Sequence, residues 1–141
     1  MPNSLTYHYE VTGDDFTQAG KASSDIKSKL KLMGANPDVI RKVAIAMYEG
    51  EINLFVHAGG GTIDVEISGN KVIIRMDDHG PGIADIDLAM QAGYSTATNQ
   101  IREMGFGAGM GLPNMRDNTD AMEIQSQVGE GTHVYMEVNL V

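Results

Sequence analysis

The sequence predicts an α+β fold, a two-layer sandwich in which helices cover one face of a mostly antiparallel sheet. Segments with the two-residue alternation of half-buried strands cluster in two hairpins, one in the middle of the chain and one at its C-terminal end. Helical patterns lie before and between these hairpins and do not alternate with single strands. This order favours antiparallel pairing over a doubly wound parallel sheet.

The composition is that of an ordinary globular protein, and the length fits one domain over residues 1–141. Nineteen acidic residues face ten basic ones, so a net charge of -9 disfavours general attraction to nucleic acid or to an anionic membrane. The chain has no cysteine, which excludes disulfides, thiolate zinc sites and cysteine nucleophiles. Because no signal peptide or membrane-spanning stretch is visible, we expect a cytoplasmic protein.

The first strand and helix follow from two different periodicities. "LTYHYEV", residues 5–11, alternates apolar and polar side chains as a half-buried strand does. A helical pattern then extends from Asp14 or Asp15 to Met33. Its expected inward positions are Phe16, Ala19, Ile26, Leu30 and Met33.

The second helix has a clear start signal. Asn36 is a good N-cap, Pro37 suits the first turn, and Asp38 lies favourably at the positive helix end. We expect this helix to extend to about His57 or Ala58, where "GGG" stops it. Because it is apolar almost all round, it should be largely buried.

The rest of the chain predicts two hairpins and two further helices. "TIDVEI" and "KVIIRMDD" pair through the turn "SGN", and "AMEIQSQV" and "THVYMEVNLV" pair through "GEG". Between the hairpins we expect a short helix at 85–92, a loop, and a helix at about 109–118 that follows a run of glycines.

That run, "GFGAGMG", places glycine at every second position from Gly105 to Gly111. It matches neither the dinucleotide fingerprint nor the P-loop, and no lysine lies near it. Glycines nevertheless let backbone N–H groups approach an anion, and a following helix favours negative charge at its N-terminus. A phosphate-binding loop and a flexible hinge are both compatible with this pattern.

A second motif, "YEGEINLFVHAG", lies in the second helix. Glu49 and Asn53 are four residues apart and share a face, whereas Glu51 lies on the opposite side. An asparagine oxygen together with phosphate oxygens and water suits Mg²⁺, and a nearby carboxylate could deprotonate a hydroxyl group. The alternative is a solvent-facing glutamate and an asparagine bonded to the backbone.

A third motif, "IIRMDDHGPGI", ends a strand in a carboxylate. Asp78 shares the apolar face of Met76, just before Gly80 and Gly82, and Asp77 lies on the other face. An acid in such a pocket can accept a hydrogen bond from a purine amino group, although a plain turn has the same pattern.

A fourth motif, "GEGTHVYMEV", places a hydroxyl on the inward face of the last strand. Thr132 shares this face with Val134, Met136 and Val138, each two residues further along the strand. Its buried hydroxyl needs a partner, which a base, an ordered water or a backbone carbonyl could supply.

The four motifs together, E-x-x-x-N, D-x-G-x-G, a glycine box and G-x-G-T, resemble the GHKL superfamily of ATPases and kinases, which includes the ATP-binding domains of histidine kinases and gyrase. "DDHGPGIADIDLAMQAGYST" followed by "GFGAGMGLPNM" is similar to the glycine boxes and lid of small bacterial serine/threonine switch kinases of the anti-sigma-factor and RsbT type. The resemblance covers the chain from about the first strand to the C-terminus. It implies the Bergerat-type ATP-binding form of the sandwich.

The resemblance also implies a role for each matching residue. Glu49 would be the general base, Asn53 the Mg²⁺ ligand, Asp78 the adenine contact and Thr132 its water-mediated neighbour. The nucleotide and its phosphates would be lined by the glycine boxes and their neighbours, namely Gly80, Gly82, Ile83, Gly105, Gly107, Ala108, Gly109, Met110, Gly111 and Leu112.

Two features depart from the resemblance. The lid "GYSTATNQIREMG" is longer than RsbT-like chains lead us to expect, and the glycine box lacks a lysine. Arg102 could reach the phosphates instead, or it could contact a partner. His57 matches the superfamily's helix end, although its spacing from Asn53 alone indicates a structural histidine.

The expected function is transfer of the ATP γ-phosphate to a serine or threonine of a small partner protein. The chain has no room for a histidine-kinase dimerisation module or a second gyrase-like domain, so we expect it to act on a separate protein such as an antagonist, a sigma factor or a phosphatase. A homodimer is left open. The alternatives are a non-catalytic ATP/ADP-dependent switch and a nucleotide-free interaction module.

Overall fold

The computed structural model describes residues 4–12, 19–55, 59–83, 90 and 111–140. Its helices and strands follow the predicted order. They are β1 (Leu5–Thr12), α1 (Lys21–Leu32), α2 (Pro37–Asn53), β2 (Gly60–Ile67), β3 (Lys71–Asp77), α3 (Gly111–Asp117), β4 (Ala121–Gln127) and β5 (Gly131–Asn139).

The five described strands form one sheet in the order β1-β2-β3-β5-β4, and every neighbouring pair is antiparallel. This confirms the predicted α+β sandwich. The "SGN" turn joins β2 to β3 as expected, with the Ser68 N–H donating to the Lys71 carbonyl at 3.0 Å. One face of the sheet packs against the helices, and the core between them includes Ile26, Leu30, Val43, Met47, Ile63, Val65, Ile74, Met76, Met136 and Val138.

Helix α1 differs from its prediction at both ends. It begins at Lys21 because Gly20, at φ 93°, has left-handed backbone geometry that an α-helix cannot include. Met33, expected to face inward, is 44% exposed. The helix ends at Leu32, and Gly34 at φ 76° turns the chain so that Ala35 packs against the core in its place. Ile26 and Leu30 are buried as predicted, and Phe16 lies outside the described residues.

Helix α2 begins as predicted. The Asn36 Oδ1 accepts a hydrogen bond from the Asp38 N–H at 2.8 Å, which caps the helix. The helix ends at Asn53, before the expected end at His57 or Ala58, and residues 56–58 lie outside the described part of the chain. It packs closely on β3, because a Cβ at Gly50 would collide with the sulfur of Met76.

The remaining predicted elements are confirmed where the structure describes them. Both strands of the C-terminal hairpin and the helix after the glycines are present. The predicted short helix at 85–92 and the lid lie outside the described residues, apart from Met90. None of the helices in the described ranges is long and apolar enough to cross a membrane.

Candidate functional site

The predicted shared face of Glu49 and Asn53 points toward α3, the helix that follows the glycine box. Glu49 is half-buried, and burial raises the pKa of its carboxyl, although a hydrogen bond from the Asn114 side chain opposes the rise. Asn53 Nδ2 lies 3.8 Å from the sulfur of Met115. A Cβ at Gly111 would lie 3.0 Å from Asn53 Oδ1, so the glycine permits this close approach. The fold therefore places a carboxylate and an amide beside the end of the glycine box.

Glu51 lies on the other side of α2, as the helical spacing predicts, and it contacts the start of α1. It is 2% exposed, and its two carboxylate oxygens accept hydrogen bonds from the backbone N–H groups of Ala22 at 3.3 Å and Ser23 at 3.2 Å. The residue at the N-cap of α1 is Gly20, which has no side chain to cap the helix. Glu51 thus supplies from α2 the negative charge and the acceptors that the first turn of α1 requires.

Asp78 ends β3 on the buried face, while Asp77 points to the open face of the sheet, as predicted. Asp77 Oδ1 lies 2.6 Å from His133 Nδ1. Asp78 is 9% exposed, and its Oδ1 accepts hydrogen bonds from the N–H groups of Gly80 at 2.9 Å and Thr132 at 3.1 Å. Within the described residues no hydrogen bond uses Asp78 Oδ2. That oxygen can accept a hydrogen bond from a ligand.

The hydroxyl of Thr132 has a partner that the sequence did not reveal. Thr132 is buried, and its Oγ1 lies 2.8 Å from Ser126 Oγ. The expected partners were a base, a water or a backbone carbonyl, so the expectation missed this side chain. The two-residue period of β4 places Ser126 inward with Met122 and Ile124, and a polar residue at that position was the available signal.

The hydroxyl of Ser126 links Thr132 to its surroundings. Ser126 Oγ accepts a hydrogen bond from the Ile83 N–H at 2.7 Å and lies 3.1 Å from the Gly131 carbonyl, an acceptor for its proton. Either hydroxyl can supply the proton between Ser126 and Thr132. When Ser126 donates to Gly131, that proton comes from Thr132, whose Oγ1 then offers a ligand an acceptor, as Asp78 Oδ2 does.

Several glycines around this network are required by backbone packing. Gly82 has φ 78°, and a Cβ there would collide with the Gln127 carbonyl. Gly131 has φ 126°, and its Cβ would collide with the carbonyl of Asp78. Together with the hydrogen bond from the Gly129 N–H to the Pro81 carbonyl at 2.9 Å, these contacts hold the loop after β3 against the β4–β5 turn. The position of Gly82 is explained without a ligand.

Gly61 in β2 is a further residue that sequence reasoning missed. A Cβ there would lie 3.0 Å from Leu54 Cδ2 and 3.2 Å from Asp78 Cβ, and would collide with the Asp77 carbonyl. The end of α2 and the end of β3 therefore meet across this glycine. A glycine inside a strand is the sequence signal for such a close approach.

The structure thus brings most of the described candidates into two adjoining groups. Asn53 lies beside Gly111 and Glu49 beside Asn114. In the second group Asp78 accepts a hydrogen bond from the Thr132 N–H, and Thr132 is linked to Ile83 through Ser126. Leu112 packs against the edge of the core. Five predicted residues lie outside the described part of the chain, namely Gly105, Gly107, Ala108, Gly109 and Met110.

Comparison with known proteins places this chain in a family. Residues 39–141 match the family described as histidine kinase-, DNA gyrase B-, and HSP90-like ATPase. A protein named anti-sigma F factor from Thermoanaerobacter sp. (strain X514) is 37% identical over 102 residues, which cover 69% of this chain and 68% of that protein. The serine/threonine-protein kinase RsbT of Bacillus subtilis (strain 168) is 33% identical over 97 residues, covering 66% and 67% of the two chains.

A solved structure shares the fold. The mycobacterial sensor histidine kinase MprB superposes with a TM-score of 0.52 at 15% identity, covering 94% of this chain and 97% of that one. At this level of identity the likeness concerns the fold alone. The family match covers the helix, strand and turn that carry these residues. The chain therefore belongs to the histidine kinase-, DNA gyrase B-, and HSP90-like (GHKL) ATPase family.

Proposed function

We propose that this chain is a partner-switching serine/threonine kinase that transfers the γ-phosphate of ATP to a hydroxyl of a small partner protein. The single observation that carries the proposal is the pairing of Glu49 and Asn53 on one face of α2, beside the end of the glycine box. The names of the relatives, anti-sigma F factor and serine/threonine-protein kinase RsbT, support this class of function.

Glu49 is suited to act as the general base. Burial raises the pKa of its carboxyl, which makes it a stronger proton acceptor at neutral pH, and Asn114 holds its orientation. In the proposed step Glu49 accepts the proton of the partner hydroxyl, whose oxygen attacks the γ-phosphorus. The bond to the β,γ-bridging oxygen breaks, and ADP leaves. The protein contributes chiefly positioning and charge stabilisation.

Asn53 fits the Mg²⁺ that accompanies the nucleotide. In the described chain no hydrogen bond uses its Oδ1, and an amide oxygen is the hard ligand that Mg²⁺ prefers. Bound Mg²⁺ would neutralise charge on the phosphate oxygens. The described residues contain no cluster of three or more His, Asp or Glu side chains that could hold a metal, so we assign the remaining ligands to phosphate and water.

Asp78 and Thr132 fit the adenine base. Both residues are buried, and each has an oxygen that can accept a hydrogen bond from a ligand, while the exocyclic amino group of adenine supplies donors. Around them we assign Gly80, Gly82, Ile83, Leu112 and the glycine box to the walls of the nucleotide site. We also propose that residues 1–141 act as one domain in the cytoplasm on a separate protein, with a homodimer as one possible assembly.

The test is transfer of labelled phosphate. The purified chain is incubated with magnesium, [γ-³²P]ATP and the small proteins that co-purify with it, and label on a serine or threonine is expected. Glu49→Gln should abolish transfer and leave ATP binding intact by calorimetry. Glu123→Gln, at an exposed position on β4, is the matched control. Transfer by Glu49→Gln at the wild-type rate would refute the assignment of the base.

A second function is favoured by the relatives named anti-sigma F factor, since that name describes binding. In this second function, nucleotide binding orders a surface that binds the partner protein, and no phosphate is transferred. The same experiment separates the two functions. ATP-dependent association with the partner and no label on it would select the switch over the kinase.

A further inference from the structure

An apolar groove lies in the crease between α1 and α2, along the N-terminal half of α2. Its volume is ≈ 570 Å³, which lies within the range of about 300–1,000 Å³ that is usual for ligand sites. Its floor consists of Ala35, Pro37, Ile40, Ala44 and Ile45. Ala44 and Ile45 are half-exposed, so this part of the apolar surface of α2 is not buried in the core.

Three cations form the rim of this groove. Lys27 and Lys31 project from α1 and Arg41 from α2, and all three are exposed. None of their side chains takes part in an ion pair or hydrogen bond with any residue in the described ranges. Lys29 on the same helix differs, since it binds Asp25 at 2.8 Å. The rim cations are therefore available to an acidic partner.

The charge around the groove is opposite to that of the whole protein. Six of the ten Lys and Arg residues lie between Lys21 and Lys42, a stretch that contains only two acids, Asp25 and Asp38. The complete chain has a net charge of -9. A long polyanion such as DNA, or an anionic bilayer, would meet the surrounding negative field, whereas a short acidic segment would contact only the basic rim. The apolar floor further requires apolar side chains in the ligand.

From these observations we propose that the groove, residues 27–45 of α1, α2 and their connection, is a docking site for an acidic amphipathic segment of a partner protein. Apolar side chains of the segment occupy the floor, and its carboxylates pair with Lys27, Lys31 and Arg41. Along α2, at 1.5 Å per residue, Arg41 lies about 18 Å from Asn53 and Ile45 about 6 Å from Glu49.

The experiment uses a fluorescein-labelled synthetic peptide of sequence EELLEELLEELL and the complete chain. Fluorescence anisotropy is expected to show saturable binding that weakens as salt is raised, and amide chemical-shift changes should be concentrated in residues 27–45. Lys31→Glu and Arg41→Glu should each weaken binding at least tenfold. Ile45→Gln tests the floor and should weaken it severalfold. Arg116→Glu, an exposed cation on α3 outside the groove, is the control and should change little.

Two further probes test the chemistry of the ligand. Peptides in which leucine is replaced by serine, or glutamate by glutamine, should bind at least tenfold more weakly than the parent. Equal affinity of Arg41→Glu and wild type, or absence of peptide binding, overturns the proposal. Preferential binding of single-stranded DNA, of vesicles with 30% phosphatidylserine, or of a second copy of the chain also overturns it. Circular dichroism melts of each variant establish that the fold is retained.

Discussion

Replacing Glu51 by alanine is expected to destabilise the protein by about 3 kcal/mol, although the residue takes no part in the proposed chemistry. Its carboxylate accepts two backbone hydrogen bonds, at 3.2 and 3.3 Å, from the first turn of α1. A hydrogen bond to a charged group contributes about 1.5–3 kcal/mol. Part of that sum is offset because the substitution also removes the cost of burying a charge. Two such hydrogen bonds contribute about 3–6 kcal/mol, and about 3 kcal/mol is left after this offset.

The assay is thermal unfolding followed by circular dichroism. At about 2.1 cal/mol/K per residue, a chain of 141 residues unfolds with an entropy of about 0.3 kcal/mol/K, so Tm should fall by about 10 °C. Glu51→Gln keeps one acceptor oxygen and should lose roughly half as much. Hydrogen exchange should accelerate at both Ala22 and Ser23 in Glu51→Ala, and at one of the two in Glu51→Gln, because each N–H that loses its acceptor is less protected.

The control is Glu123→Ala on the exposed edge strand β4, which should change stability by less than about 0.5 kcal/mol. If Glu51→Ala melts within about 2 °C of this control, the reasoning is refuted. That result would mean that the Glu51 carboxylate makes no measurable contribution to the stability of the first turn of α1.

Three further predictions concern Glu49, Asp78 and the exposed pair of His8 on β1 and Asp64 on β2. Burial raises the folded-state pKa of Glu49 above the ordinary value of 4.5, so the folded protein binds that proton more tightly and loses stability as pH rises from below 4.5 through the raised pKa. Glu49→Gln should remove this loss, and melts from pH 4 to 7 would show it, whereas an unchanged pH profile would contradict it. Asp78→Asn places an amide donor where the purine amino group is expected, so calorimetry should give at least a hundredfold loss of ATP affinity and little discrimination between ATP and ITP. Asp64 raises the pKa of His8 above 6.5 through a hydrogen bond at 2.6 Å, a contribution present below pH 6.5 and lost as pH rises through the folded pKa. NMR titration of Asp64→Asn should return the pKa of His8 toward 6.5, and an unaltered midpoint would disprove the pairing.

Much of the fold could be predicted because its signals are local. The cap at Asn36 is made by a side chain and a backbone N–H two residues apart. The strand period alone decides that Asp78 faces inward and Asp77 outward, and the helix period alone separates Glu49 from Glu51. Each of these statements concerns which side of an element a residue occupies, and a periodic pattern contains that information.

What could not be predicted is which residue each side chain meets. Met33 fits the helical period, yet the turn at Gly34 ends the helix before it can face the core. Ser126 and Ile83 are 43 residues apart, and nothing in either segment indicates their hydrogen bond. The roles assigned to the glycine box from Gly105 to Met110 remain predictions, since these residues lie outside the described ranges.

The sequence by itself determined the class of fold, the faces of its elements and the four motifs that mark the family. Only the tertiary structure decided that Glu51 caps α1, that Thr132 bonds Ser126 and that three cations surround an apolar groove. The physical reason is the range of the interactions. Periodicity and capping act within a few residues of the chain, whereas these contacts form only after packing brings distant segments within hydrogen-bond or van der Waals distance.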